Sequence, residues 1–290
     1  AANKVSGFET INLDTGRNNT VVDANQYNIV VDNDNAPNPN VLNAGVLTVN
    51  GSALQAAADL NADGDMVDAG EAAETLVFDG SGVSTFGLNV TGGAANDTIT
   101  GGTLTSVIAS GAGNDTVNTV GGANTVTTGA GNDVVNFGVA TDNVNAGAGN
   151  DTLNVGANLT IADTIDGGDG TDTITTGTGY GDTVFTNVSN VEVLTLTAGV
   201  TSTLGLKAQA AGIRTINGVA GTADVVDASA YTTGNLTING NGGNDTLKSG
   251  AGADTINGGS GDDSIESGAG ADLVVSGAGT DNIKLGAGND

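Results

Sequence analysis

The chain has 290 residues, 49 of them glycine, no cysteine and no histidine, and a formal net charge of −27 from 33 acidic and 6 basic residues. That balance excludes a nucleic-acid-binding face and adsorption to an anionic membrane, which need clustered Lys and Arg. The missing Cys and His exclude thiol chemistry, zinc ligation and imidazole acid–base catalysis. Aromatic residues (3%) are too few for an ordinary core of this size, yet a 38% hydrophobic fraction rich in Val, Ile, Leu and Ala is too ordered for an acidic tail.

The first segment, 1–90, reads as a β-rich spacer. It contains VSGFETINLDTG (5–16) and VVDANQY (21–27), with a long insertion over 28–87. Within the insertion, SALQAAADLNADGDMVDAGE (52–71) predicts a short helix over 53–58. An acidic loop follows, in which Asp59, Asn61, Asp63, Gly64 and Asp65 fit the opening of an EF-hand calcium loop. The closing Glu71 comes one residue late and strand-like LVF follows, so the expectation is a variant, EF-hand-like site. The loop VDNDNAPNPN (31–40) adds Asp32 and Asp34 as weaker ion ligands.

Segment 91–187 is an array of nonapeptides. From Gly92 they read GGAANDTIT, GGTLTSVIA, SGAGNDTVN, TVGGANTVT, TGAGNDVVN, FGVATDNVN and AGAGNDTLN, with an aliphatic residue at every eighth position from Ile99 to Leu153. The sixth positions alternate between two edges. One edge carries Asp97, Asp115, Asp133 and Asp151; the other carries Ser106, Asn124 and Asp142. The register then slips and resumes at GGDGTDTIT (167–175), which contains Asp172. A second spacer, 188–239, repeats the first: VSNVEVLTLTAG (188–199) echoes 5–16 and VVDASAY (225–231) echoes 21–27, with a short helix expected around 202–213. A second array, 240–290, carries Asp245, Asp263 and Asp281 on one edge and Asp254, Asp272 and Asp290 on the other. Its last repeat stops at the sixth position and the chain starts without Met, so the expectation is a piece of a longer chain.

The repeat GGSGDDSIE (258–266) shows what the spacing does. Its glycines permit a tight turn, and Ser264-Ile265-Glu266 forms a short strand with only the middle side chain inward. Two repeats make an 18-residue coil, and stacked coils make two parallel sheets with a column of turns along each edge. One inward aliphatic per nine residues is a thin core against the entropy of ordering so many glycines. Calcium resolves this, because it takes 6–8 oxygens from carboxylates and backbone carbonyls alike. About ten ions would offset most of the net charge. The expectation is a calcium column on the Asp97–Asp151 edge, a mostly empty opposite edge, and two loaded edges in the second array.

These repeats resemble the RTX nonapeptide G-G-x-G-x-D-x-U-x, and Gly258, Gly259, Gly261, Asp263 and Ile265 fill every fixed position. The resemblance implies an all-β fold, a right-handed parallel β-roll or β-helix solenoid, here with an inserted EF-hand-like loop. It implies calcium ions held by Asp97, Asp115, Asp133, Asp151, Asp172, Asp245, Asp254, Asp263, Asp272, Asp281 and Asp290. The alternation of spacer and array resembles S-layer proteins of Gram-negative bacteria that leave by type I secretion. That resemblance implies a non-enzymatic, secreted, cell-surface protein that assembles with itself through calcium, with lipopolysaccharide as a candidate surface partner. The alternative is the RTX stalk or tail of a type I secreted adhesin, toxin or hydrolase.

Overall fold

The computed structural model describes residues 10–12, 26–32, 46–50, 75–84 and 86–290. The chain divides into two compact units, Ala1–Asp151 and Thr152–Asp290. Each is a stack of parallel β-strands wound as a solenoid.

In the first unit the chain changes sheet at every turn. One sheet holds, in order, Thr10–Asn12, Val46–Asn50, Gly87–Thr91, Ser106–Ala112, Thr125–Ala130 and Asn143–Ala148. The other holds Gln26–Asp32, Thr75–Gly82, Thr98–Thr100, Thr116–Asn118 and Val134–Asn136. Thr98 pairs with Thr116 and Thr116 with Val134, 18 residues on each time, and Thr125 pairs with Asn143 at the same step. The two-repeat coil follows directly from this register. Only the middle residue of the strands Thr98–Thr100, Thr116–Asn118 and Val134–Asn136 points inward, because side chains alternate along a strand. Ile99, Val117 and Val135 therefore stack in register in one sheet, and Val126 and Val144 in the other, all buried.

The second unit uses the same plan with wider coils in its first part. Its main sheet runs Thr152–Asn154, Thr173–Thr176, Val193–Leu196, Thr215–Asn217, Thr237–Asn239, Thr255–Ser260, Leu273–Ala278. A facing sheet runs Thr201–Thr203, Val225–Asp227, Thr246–Lys248, Ser264–Glu266, Asn282–Lys284. Shorter pairs join Thr164–Asp166 to Val188–Ser189 and Ala269–Gly270 to Ala287–Gly288. From Thr237 to Thr255 to Leu273 the step is 18 residues, but from Val193 to Thr215 to Thr237 it is 22. The segment 188–239 thus contributes coils to the same sheets as the nonapeptides.

The extra residues of the wide coils supply a larger core. Phe185 and Tyr231 are buried, and the Tyr180 and Phe185 rings meet edge to face with centroids 6.4 Å apart, a favourable aromatic geometry. A helix, Leu206–Ala211, lies within the stretch where the sequence predicts one and turns Ala208 and Ala211 inward. Its first turn is closed by a residue from another coil. Asp182 accepts N–H bonds from Gly205 (2.8 Å), Lys207 (3.0 Å) and Ala208 (2.9 Å), doing the work of a side-chain N-cap. The expected helix over 53–58 lies outside the described residues.

The outer faces are laced by polar ladders. Asn136 donates to Asn118 and Asn118 to Thr100 in the first unit; Asn257 donates to Asn239 and Asn239 to Asn217 in the second. On the second unit's facing sheet, Asp227, Lys248, Glu266 and Lys284 stand in register with alternating charge, and Lys284 bridges Glu266. Opposite charges directly across a strand pair are favourable.

Because each coil contributes so few inward side chains, truncating one is costly. Ile256→Ala, at a fully buried position in the stack Ile238–Ile256–Val274, should lower stability by about 2–5 kcal/mol. Ile161→Ala, at a residue 58% exposed, should change it by less than about 0.5 kcal/mol. Denaturant-induced unfolding of the two variants measures the contrast.

Candidate metal centre

The aspartates at the sixth positions end in columns, and each reaches across to the coil before it. In the first unit Leu76 N donates to Asp97 Oδ1 (2.7 Å), Asp97 N to Asp115 Oδ1 (2.7 Å), Asp115 N to Asp133 Oδ1 (2.7 Å) and Asp133 N to Asp151 Oδ1 (2.8 Å). In the second unit one column runs from Leu236 N through Asp254 and Asp272 to Asp290, with bonds of 2.8, 2.9 and 3.0 Å. The other runs from Asp224 N through Asp245 and Asp263 to Asp281, at 2.8, 2.9 and 3.0 Å. Asp172 joins a carboxylate contact too, with its N–H donating to Glu192 Oε2 at 2.8 Å.

The residue before the aspartate works in the opposite direction. Asn114 N donates to Asn96 Oδ1, Asn132 N to Asn114 Oδ1 and Asn150 N to Asn132 Oδ1, each at 2.7 Å. An Asn-Asp pair therefore ties its turn to both neighbouring coils. The hydroxyls that replace the first glycine do likewise: Ser110 donates to the Thr128 carbonyl (3.0 Å), Thr128 to Ala146 (2.6 Å) and Ser249 to Ser267 (2.5 Å).

What these bonds leave over defines the chemistry. Oδ2 of Asp115, Asp133, Asp245, Asp254, Asp263 and Asp272 is buried and meets no donor. The hydroxyls of Ser110, Thr128 and Ser249 lie beside Asp115, Asp133 and Asp254, but each single proton is committed to a carbonyl, of Thr128, Ala146 and Ser267. Around these atoms the turns present backbone oxygen. A Cβ added to Gly131 would lie 1.9 Å from the Gly113 carbonyl oxygen, and one on Gly258 would lie 2.5 Å from Asp263 Oδ2 and 2.4 Å from the Ser276 oxygen. The glycines are thus required by close approach of neighbouring oxygens, and Gly131 by its φ of +136° as well.

Burial drives the carboxylates toward the neutral form. It pushes Asp115 up to about 7 and Asp245 up to about 6, with like-charged neighbours in the column adding to the effect. Burial also raises Asp97, Asp133 and Asp254. Buried anionic oxygens among carbonyls, with no nitrogen or sulfur ligand, suit a hard cation of calcium's type and not zinc. Among the described residues no three carboxylates converge on a point, so carbonyls must supply most of the donors. This donor set fits calcium.

The RTX calcium-binding nonapeptide repeat (4 copies) matches residues 89–103, 109–142, 138–158, 162–182, 232–265, 239–274 and 257–290, together half of the chain. The chain belongs to the RTX calcium-binding repeat family. No curated protein and no solved structure matches it. The RTX match leaves out 183–231, where the solenoid continues without the motif.

All eleven aspartates expected from the RTX spacing lie in these carboxylate contacts. Asp59, Asn61, Asp63, Asp65 and Glu71 lie outside the described residues. Three further carboxylates occupy equivalent places. Asp163 Oδ2 accepts Thr160 N at 2.6 Å, Asp224 accepts Val200 N and Val219 N at 3.2 and 2.8 Å, and Glu192 accepts Asp172 N. Their signal is an acid two residues before a buried aliphatic (Ile165, Leu194, Val226), which survives where the nine-residue period breaks. Asp97, Asp163 and Asp224 also differ from the carboxylates with an orphaned Oδ2, since Gly93 N (2.6 Å), Thr160 N (2.6 Å) and Val219 N (2.8 Å) donate to theirs.

A raised carboxylate pKa sets the sign of the pH dependence. The folded, calcium-free chain binds protons that the unfolded chain, with Asp near 3.8, releases. That stabilisation is complete below about pH 4 and is lost as pH rises through about 6 to 7. Circular dichroism of chain dialysed free of calcium should show more β-structure at pH 5 than at pH 8, with calcium restoring it at pH 8. A signal that is flat or rises with pH contradicts this.

Proposed function

We propose that this chain is a structural, non-catalytic calcium-binding solenoid of a bacterial surface layer, exported by type I secretion and ordered by calcium outside the cell. The observation that carries the calcium part is the set of buried Oδ2 atoms at Asp115, Asp133, Asp245, Asp254, Asp263 and Asp272 that meet no donor. The surface-layer part is supported by the chain's twofold plan of spacer and array and by coils of 188–239 that pair strand for strand with nonapeptide coils. Among the described residues no helix is long and apolar enough to cross a membrane.

In this reading Asp115, Asp133, Asp245, Asp254, Asp263 and Asp272 hold the ions with their second oxygens, assisted by glycine-turn carbonyls. A bound cation supplies the positive charge that neutralises the column. The first oxygens keep adjacent coils in register through the Asp ladder, and the hydroxyls of Ser110, Thr128 and Ser249 hold the spacing of the turns. Extracellular calcium modules bind at about 10⁻⁴–10⁻³ M, far above cytosolic calcium, so ordering would wait for export. Copies of the chain would then associate through calcium at the surface, with lipopolysaccharide as the candidate anchor.

Calcium titration followed by circular dichroism and light scattering tests this. The expected result is a gain of β-structure at about 10⁻⁴–10⁻³ M calcium with growth of large particles, and a much weaker response to magnesium. Folding to a species that stays monomeric would remove the lattice role and favour a secreted stalk or tail. No response to calcium would overturn the reading altogether.

A further inference from the structure

Two positions in the columns carry a nitrogen side chain in place of a carboxylate. Backbone bonds identify them. Asn143 N donates to the Asn124 carbonyl and Thr237 N to the Arg214 carbonyl, each at 2.8 Å, as Val134 N does to Asp115 and Leu273 N to Asp254. Asn124 lies on the second edge of the first unit. Arg214 lies in the second unit, two coils before Asp254.

Asn124 is 2% exposed. Its Oδ1 accepts Ser106 N at 2.9 Å, which is the task an aspartate performs elsewhere in the stack. Its Nδ2 lies 3.0 Å from the Thr119 carbonyl, 3.0 Å from Gly121, 2.9 Å from Gly122 and 2.9 Å from Asp142 Oδ1. Four oxygens thus surround one nitrogen that has only two hydrogens to share. Three are turn carbonyls and the fourth is the next coil's carboxylate, the donor types that calcium takes. Thr119 Oγ1 binds the other oxygen of Asp142 at 2.8 Å.

Arg214 makes the same substitution with a full charge. Its Nη1 donates to the carbonyls of Gln209 (3.1 Å) and Ile213 (2.7 Å). Its Nε lies 3.2 Å from the Cβ position of Gly234, whose φ of +82° also favours glycine there. Gln209 lies in the last turn of the helix Leu206–Ala211 and Ile213 in the turn that leads into Arg214, as residues 119, 121 and 122 lie in the turn leading into Asn124.

We infer that Asn124 and Arg214 are built-in replacements for the cation: their N–H groups hold the carbonyls that precede the column position, in the turn before Asn124 and at the helix end and turn before Arg214, so these two turns order without calcium and take up none. The inference rests on the calcium reading of the other columns. Its consequence is that each unit contains a coil already closed in the calcium-free chain, onto which calcium-dependent coils can stack. In a solenoid, where each coil touches only its neighbours, such a coil serves as the starting point for ordering.

Three variants of the full chain test it by hydrogen exchange and by equilibrium dialysis against calcium. Asn124→Asp replaces the donor with a carboxylate facing Asp142. It should bind one more calcium ion than the wild type, and exchange over 119–143 should speed up about tenfold without calcium and recover with it. Asn124→Ala removes the donor and adds no ligand, so exchange over 119–143 should rise similarly and calcium should not restore it. Arg214→Ala should do the same over 209–216. Wild-type exchange rates over 119–143 in calcium-free Asn124→Ala would overturn the inference, as would Asn124→Asp binding no additional ion. A wild type that binds no calcium overturns the calcium reading instead, and the calcium-free Asn124→Ala measurement separates that failure from this one.

Discussion

A carboxylate that leans onto the neighbouring coil with one oxygen and is left buried with the other is the constraint on which the rest of this structure depends. The first oxygen, accepting N–H 18 residues away in bonds such as Asp115 N to Asp133 Oδ1, holds coil to coil. The second makes the arrangement costly, because a desolvated anion among carbonyls is unfavourable until it is protonated or meets a cation. The same contact therefore stabilises the stack when the charge is balanced and destabilises it when it is not. With a net charge of −27 and 6 basic residues, the chain has little internal means to balance it. In the calcium-ordered reading proposed above, linkage would make folding a function of the free ion.

The repeat makes the nonapeptide coils readable because one residue type does one task at each position. The eighth position faces inward, the sixth faces the neighbouring turn, and the glycines lie where neighbouring oxygens approach too closely for a Cβ. Other features escape the period because their physics acts across coils. The Asn before each Asp is visible in the sequence, but its reason is not: Asn114 accepts a bond from Asn132, 18 residues away. Asp182 caps the helix Leu206–Ala211 from another coil, so no local capping pattern marks it. Asp163, Glu192 and Asp224 fall where coils lengthen and the nine-residue count fails. Only the local pairing of an acid with an aliphatic two residues later remains there.

The lengthened coils change the balance between hydrophobic and ionic stabilisation. Steps of 18 residues bury mainly single aliphatics, with Phe137 an exception, whereas the step of 22 from Val193 to Thr215 accommodates a helix. Nearby wide coils bury Phe185 and Tyr231. Burying such rings contributes more than burying a valine. Those coils therefore have more apolar burial to set against an uncompensated charge, and one of their acids, Asp224, also has a second backbone donor. Asp224 accepts Val219 N besides its bond to the neighbouring coil, whereas Glu192 keeps the ladder bond from Asp172 N.

Dependence on the ion is thus graded along the chain by the wiring of each turn. A carboxylate with a second N–H partner, as at Asp97, has part of its charge balanced within the chain. A turn closed by an amide or guanidinium needs no ion at all, since the donor is covalently attached and pays no translational entropy to bind. A turn whose second oxygen is orphaned and desolvated, as at Asp115 or Asp245, has its charge uncompensated until a proton or a cation reaches it. Each coil bonds only to its neighbours, so order in one reduces the cost of ordering the next. Under the proposed calcium reading, graded sites coupled in this way would convert a modest affinity at each turn into a steep response of the stack.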